Sequence, residues 1–109
     1  MKLVLAIVQD KDADTLAKEF IQNDVRATKL ATSGGFLRAG NTTFIVGIED
    51  DRVEEALEII KKTCESRKQF VSTPVTLDIS IDGGVPYPVE VEVGGATVFV
   101  LPVEGFHQF

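Results

Sequence analysis

The stretch Arg26–Gly47, RATKLATSGGFLRAGNTTFIVG, decides how the chain folds. From Asp24 to Thr32, β-branched and basic residues alternate loosely; Ser33, Gly34 and Gly35 break the run, and Thr42–Ile48 (TTFIVGI) resumes it. Branched side chains suit a pleated backbone and a Ser-Gly-Gly cluster suits a turn, so two strands joined by a short glycine loop are expected. The stretch also gathers charge. It carries Arg26, Lys29 and Arg38 and no acidic residue, whereas the other eight of the eleven basic residues share the remaining chain with all seventeen acidic ones. An anion prefers this segment, and its glycines, the Phe36-Leu37 pair and the small polar run Asn41–Thr43 suggest a pocket for a flat, phosphate-bearing ligand.

Upstream, Lys2–Gln9 (KLVLAIVQ) is short and rich in Val, Leu and Ile, the pattern of a central strand covered on both faces. From Asp12 onward Ala13, Leu16, Ala17, Phe20 and Ile21 recur at three- and four-residue spacing, which predicts a helix capped by Asp10 or Asp12 and ending near Gln22 to Asp24. Downstream, Asp51 and Glu54 form a cap pair ahead of a second apolar stripe, Val53, Ala56, Leu57, Ile60 and Cys64. Lys61, Lys62, Arg67 and Lys68 suit the negative pole at the end of that helix. The span 65–88, with Pro74, Pro86, Pro88 and the Gly83-Gly84 pair, reads as a long loop in which TLDISI alternates well enough for a short ribbon. Val89, Val91 and Val93 then alternate with Glu90 and Glu92, Gly94-Gly95 turns the chain, and Ala96 to Leu101 returns, as a hairpin or a bent pair of strands.

In order, these elements are strand, helix, strand, strand, helix, strand. That is a single α+β domain over residues 1–109, a ferredoxin-like βαββαβ sandwich with an antiparallel sheet and both helices on one face. Phe44 to Ile48 and Thr97 to Leu101 carry apolar groups on both sides, more than two helices on one face can hide, so the second face is expected to be buried by self-association.

Composition removes several function classes. A chain of 109 residues, 44% apolar, supports one core that buries roughly 65% of the unfolded surface. A net charge of -6 and a pI near 4.7 argue against a nucleic-acid polymer as partner, because duplex affinity rests on clustered Lys and Arg. Cys64 is the only cysteine, so no internal disulfide forms, and Asp10, Asp12 and Asp14 interrupt the early apolar run, unlike a signal peptide. No apolar stretch reaches the ~20 residues that a bilayer requires, so membrane insertion is not expected and a soluble cytoplasmic protein is.

The residues offer binding chemistry rather than catalysis. Gly34 and Gly35 let main-chain N–H groups approach an oxyanion, or serve as a plain turn. Phe36 and Leu37 either pack into a neighbouring subunit or sandwich an aromatic ring. Arg26 can fork to a phosphate or stack on a base, and Thr28, Asn41 and Gln108 can hydrogen-bond a purine edge; each taken singly reads first as an exposed strand residue or a satisfied turn. His107 is the only histidine and reads as a surface imidazole, Cys64 as a core residue, and one His and one Cys far apart make no zinc set. Glu90 and Glu92 read as a solvated strand face rather than a glycosidase pair. Neither an enzyme nor a metal site is expected.

The segments KLATSGGFLRAGNTTF and VPYPVEVEVGGATVFVLPV and the ending GFHQF resemble the PII-like cyclic di-AMP receptor family known as DarA or PstA, over nearly the whole chain. The resemblance implies a homotrimer of ferredoxin-like protomers without enzymatic activity, holding cyclic di-AMP in clefts between adjacent subunits and relaying it through its loops to a protein target. By motif position it implies ligand contacts from Arg26 and Thr28 on the second strand, Gly35, Phe36 and Leu37 in the loop, Asn41 and Gly47 on the third strand, and Gln108 in the tail, with Phe99 a further apolar contact. Two departures stand out. Asp24 replaces an Asn of the family pattern, putting a carboxylate near a dianionic ligand, which is expected to weaken binding; and the long loop reads TPVTLDISIDGG, without the family's methionine and paired glycines at its start. Two related readings rank behind. An ATP-sensing PII-like regulator needs a longer loop between the second and third strands, and a ligand-free trimeric scaffold would act through the loop from Val71 to Pro88 alone.

Overall fold

A computed structural model of the chain describes residues 1–30, 40–72 and 88–109. Strand β1 (Lys2–Gln9) alternates: Val4, Ala6 and Val8 are buried, but Leu3, Leu5 and Ile7 are only half-buried on the other side, so the strand is not covered on both faces as its apolar run suggests. Helix α1 (Asp10–Gln22) follows without a linker, and Ala13, Leu16 and Phe20 bury its apolar stripe. Its start differs from the capped helix the sequence suggests. Gln9 occupies the cap position but its side chain does not cap the helix, and both candidate caps are engaged elsewhere: Asp10 accepts the Thr42 hydroxyl at 2.5 Å, and Asp12 pairs with Arg67 at 2.9 Å. Ile21, expected on the buried stripe, is 77% exposed, since it follows Phe20 by one position and so points about 100° away from it around the helix.

The helix stops at a left-handed residue. Asp24 has φ 54°, its N–H donates to the Ile21 carbonyl at 3.2 Å, and the Val25 N–H donates to the Phe20 carbonyl at 2.8 Å. These two bonds, with Val25 and Phe20 both buried, make a Schellman termination, whose left-handed position takes Gly, Asn or Asp. Asp24 therefore closes a helix rather than opening a strand. Strand β2 spans Thr28–Leu30 among the described residues, so it begins at Thr28 and not at Asp24.

Strand β3 (Asn41–Ile48) buries Thr42, Phe44, Val46 and Ile48 on one face. Phe44 meets Phe20 edge to face at 5.7 Å between centroids, which fastens α1 to the sheet. Asp50–Arg52 forms a 3₁₀ turn leading into helix α2 (Val53–Cys64), so Asp51 and Glu54 are not the cap pair the spacing suggests. The Arg52 guanidinium instead links the two helices, donating to the Asn23 and Asp24 carbonyls at 3.0 and 3.1 Å and to Glu55 at 3.2 Å. Ala56, Ile60 and Cys64 complete the core with Val4, Ala6, Val8, Leu16 and Phe20. Lys61 and Lys62 occupy the last turn of α2 as expected.

Beyond α2 the chain departs from the expected loop and hairpin. Arg67–Ser72 is a strand, β4, from which Arg67 still donates to the carbonyl of Glu65, the C-cap residue of α2, at 3.2 Å, while Lys68 pairs with Glu90 instead; β4 pairs antiparallel with β5 (Pro88–Val93), while β6 (Ala96–Pro102) pairs with β1. Gly94 and Gly95, at φ 84° and 99°, are not a hairpin turn between β5 and β6; they carry the chain from one sheet to the other. That crossing is fixed from outside, by the Gly94 N–H on Gln9 Oε1 at 2.9 Å and the Gly95 N–H on the Cys64 carbonyl at 2.5 Å. A Cβ at Gly94 would lie 2.5 Å from Arg67 Nη1 and 2.8 Å from the Glu65 carbonyl, so the position excludes side chains. The TLDISI ribbon lies outside the described residues.

Among the described residues the strands form a four-stranded antiparallel sheet, in the order β2-β3-β1-β6, and a two-stranded sheet of β4 and β5. Both helices contribute to the core on the Val4, Phe44 and Val46 side. This is a mixed α+β architecture compatible with a ferredoxin-like sandwich, the β4-β5 arm being inserted between α2 and the last strand.

Candidate functional site

Among the described residues, the opposite face of the four-stranded sheet has no helix on it. In antiparallel pairs, residues directly opposite one another share a face, and the registers align Thr28, Ile45, Leu5 and Phe99 in one row across β2, β3, β1 and β6. The adjoining row is Gly47, Leu3 and Leu101, and on the other side lie Leu30, Thr43, Ile7 and Thr97. Phe99 is 52% and Leu101 42% exposed, so this face presents a broad apolar surface. Thr43 is the odd member, with a buried hydroxyl that has no hydrogen-bond partner.

Period-two alternation along β3 puts Asn41, Thr43, Ile45 and Gly47 on this open face, with Thr28 beside Ile45. Arg26, just ahead of β2, lines a hollow of about 240 Å³ with Asp24, Gly47, Glu49 and Arg52. Asn41 lines a second, of about 310 Å³, with Ile7, Gln9, Gly94, Gly95 and Thr97. Six residues of strand separate Asn41 from Gly47, on the order of 20 Å. The structure thus brings Arg26 to Gly47 and sets Thr28 nearby, but leaves Asn41 at the far end of the strand. Gln108 is exposed in the tail, where His107 stacks on Phe109 at 6.1 Å. Gly35, Phe36 and Leu37 lie outside the described residues.

The two hollows differ in what frames them. At the Asn41 end, the Asp10 N–H holds the Gly40 carbonyl at 2.8 Å, and Gln9 stands opposite Asn41 in the sheet while bonding Gly94. At the Arg26 end, Arg52 spends its donors on Glu55 and on backbone carbonyls, leaving Arg26 without an ion pair among the described residues. Sequence reasoning placed Asp24 near the ligand but missed Glu49, Arg52 and Gln9 as neighbours of the site. The Asp24 left-handed turn and the Gln9-Asn41 register become visible only with the helix end and strand pairing in place.

Cys64 and the carboxylates do not build a reactive centre. The Cys64 thiol is fully buried and pushed up to about 11, chiefly by burial, with the Asp12 carboxylate adding to the effect. Glu90 and Glu92 are exposed and pair with Lys68 and Ser66. Among the described residues there is no cluster of three or more His, Cys, Asp or Glu able to hold a metal. No helix there is long and apolar enough to cross a membrane.

The family model described as cyclic-di-AMP receptor matches residues 1–109. The chain belongs to the cyclic di-AMP receptor family. Binding of cyclic di-AMP is thus a property of its family, which is one of receptors and not of enzymes. Among solved structures, the fold is similar to that of a functionally unknown protein from Pediococcus pentosaceus ATCC 25745, at 56% identity and TM-score 0.79, over 99% of this chain and 96% of that one.

Proposed function

We infer that the protein is a PII-like signal receptor that assembles as a homotrimer, holds cyclic di-AMP where neighbouring subunits meet, and passes its occupancy to a protein target through its loops. One observation carries this reading: Arg26, Thr28, Asn41 and Gly47, singled out as ligand contacts, all border the sheet face that the helices leave bare. A ligand bound there and a second chain covering that face share one surface. The sizes of the hollows agree with this, since each is at or below the ~300–1,000 Å³ usual for a drug-sized ligand, so neither encloses a cyclic dinucleotide by itself. A ligand with two purines joined by a phosphate ring suits two separated base-sized recesses, closed over by the neighbour.

Each residue then has a chemical task. Arg26 supplies a guanidinium that can reach a phosphate or stack on the base beside it, Thr28 a hydroxyl, Asn41 an amide that can donate and accept at a purine edge, and Gly47 close backbone approach at a point beyond the end of β2. Phe99 offers an apolar surface in the same row as Thr28. Gly35, Phe36 and Leu37 from the loop and Gln108 from the tail complete the set by their motif positions.

The test is a melting series with cyclic di-AMP, cyclic di-GMP, ATP and AMP. At ~100 times its Kd, the specific ligand stabilises the folded form by roughly 2.7 kcal/mol. Cyclic di-AMP alone is expected to do so, and Arg26→Ala to lose ~1.5–3 kcal/mol of binding with an unchanged ligand-free melting temperature. An equal response to all four nucleotides contradicts the specificity, a response to ATP alone supports the ATP-sensing reading, and indifference of binding to Arg26→Ala removes the site.

A further inference from the structure

The hollow around Arg26 contains a group with no partner and a rigid mount. Asp24 is held in the left-handed region by the two hydrogen bonds that end α1, with Val25 and Phe20 buried beneath it. Arg52 grips the carbonyls of Asn23 and Asp24 and is itself held by Glu55. The backbone at Asp24 is thus fixed on both sides, while its carboxylate takes part in no hydrogen bond or ion pair among the described residues and lines the recess with Arg26 and Gly47. The recess walls carry two carboxylates, Asp24 and Glu49, against two guanidiniums, Arg26 and Arg52, so it is close to neutral overall. Because Arg52 is already engaged, the recess does not favour a dianion.

A neutral recess with an acceptor-only group on a rigid backbone suits a nucleobase better than a phosphate. Adenine presents an exocyclic amine, a donor, at the position where guanine and hypoxanthine present a carbonyl oxygen. We propose that Asp24 is a specificity-determining residue of the binding site: its carboxylate accepts the exocyclic amine of one adenine in the recess shared with Arg26 and Gly47, and repels a base with a carbonyl there. The proposal rests on the reading of the protein as a cyclic di-AMP receptor, and it gives the Asp24 side chain a task on the base side of the ligand instead of an opposing charge on the phosphate side. A neutral amide at position 24 can turn either its oxygen or its NH₂ group to the base, and so it discriminates less.

The experiment is calorimetric titration of the full chain and of Asp24→Asn with cyclic di-AMP and with its analogue carrying hypoxanthine in place of adenine. Asn is at home in the left-handed region, so this variant keeps the helix ending, which a melting curve verifies. The wild-type protein is expected to prefer the adenine dinucleotide, and Asp24→Asn to reduce that preference roughly tenfold, chiefly by improving binding of the hypoxanthine analogue. An equal gain for both dinucleotides in Asp24→Asn means that the carboxylate opposes phosphate, and no change in the preference means that it faces neither; either result overturns the proposal. Binding of neither dinucleotide by the wild-type chain would instead bring down the receptor reading itself, an outcome distinct from both.

Discussion

The two faces of the four-stranded sheet are built from the same strands by the same alternation, yet they have different fates. On one, Val4, Ala6, Val8, Phe44, Val46 and Ile48 lie under the helices, at 5% exposure or less. On the other, Leu3, Leu5, Ile7 and Ile45 are half-buried, and Phe99 and Leu101 are open. The first face is covered over β1 and β3, although Val100 at its β6 edge is 42% exposed. The second is as apolar but lacks a cover among the described residues, and it borders the residues expected to hold a ligand. The difference teaches that hydrophobic strand positions can encode assembly as well as core, and that a ligand placed at the margin of such a face can be made to depend on assembly.

Substitutions can separate the two faces. Phe20→Ala removes the ring that meets Phe44 and leaves a cavity, a loss of about 3–5 kcal/mol, so denaturant titration should show a large fall in stability at every protein concentration. Phe99→Ala removes a ring that is half exposed, so its cost should appear mainly on dilution, as a melting temperature that becomes more dependent on concentration. If both variants lose stability equally at all concentrations, the faces do not differ as described.

A smaller effect tests how the β4-β5 arm is tied to the helix layer. Arg67→Met leaves Asp12, 5% exposed, without its guanidinium partner. Discounted for the partly exposed Arg67 side chain, the expected loss is about 1–2 kcal/mol. Lys68→Met, at an exposed pair with Glu90, should cost less than ~0.5 kcal/mol. A separate effect is set by pH. Because the Cys64 thiol titrates at about 11 when folded, above its ordinary value of 9.0, its contribution is intact below pH 9.0 and is lost as pH rises toward 11. At neutral pH the thiol should resist alkylation until the chain unfolds, which a denaturant-dependent labelling series measures.

Much of the fold was legible in the sequence because its elements announce themselves locally. Lys2–Gln9 is a short run rich in Val, Leu and Ile, Thr42–Ile48 resumes a strand after the glycines, and Ala13, Leu16 and Phe20 mark one side of a helix, so the elements are plain without tertiary information. The failures share a physical cause, which is competition from distant groups. Gly94-Gly95 has the local look of a hairpin turn, but Gln9 and Cys64, far away in the chain, hold its N–H groups and send β6 to β1. Asp10 and Asp12 look like caps, but Thr42 and Arg67 claim them. For the site, charge and glycine content singled out Arg26 and Gly47, which the structure brings to one hollow. The mount beneath Asp24 was hidden because it depends on where α1 ends and on Arg52 reaching across from the start of α2.

The central claim is that the uncovered face of the sheet is where chains and ligand meet, and native mass spectrometry of the protein with cyclic di-AMP tests it directly. The account predicts a particle of three chains carrying up to three ligands, with no ligand on isolated chains. A single chain that carries the nucleotide, or a trimer that carries none, would contradict it.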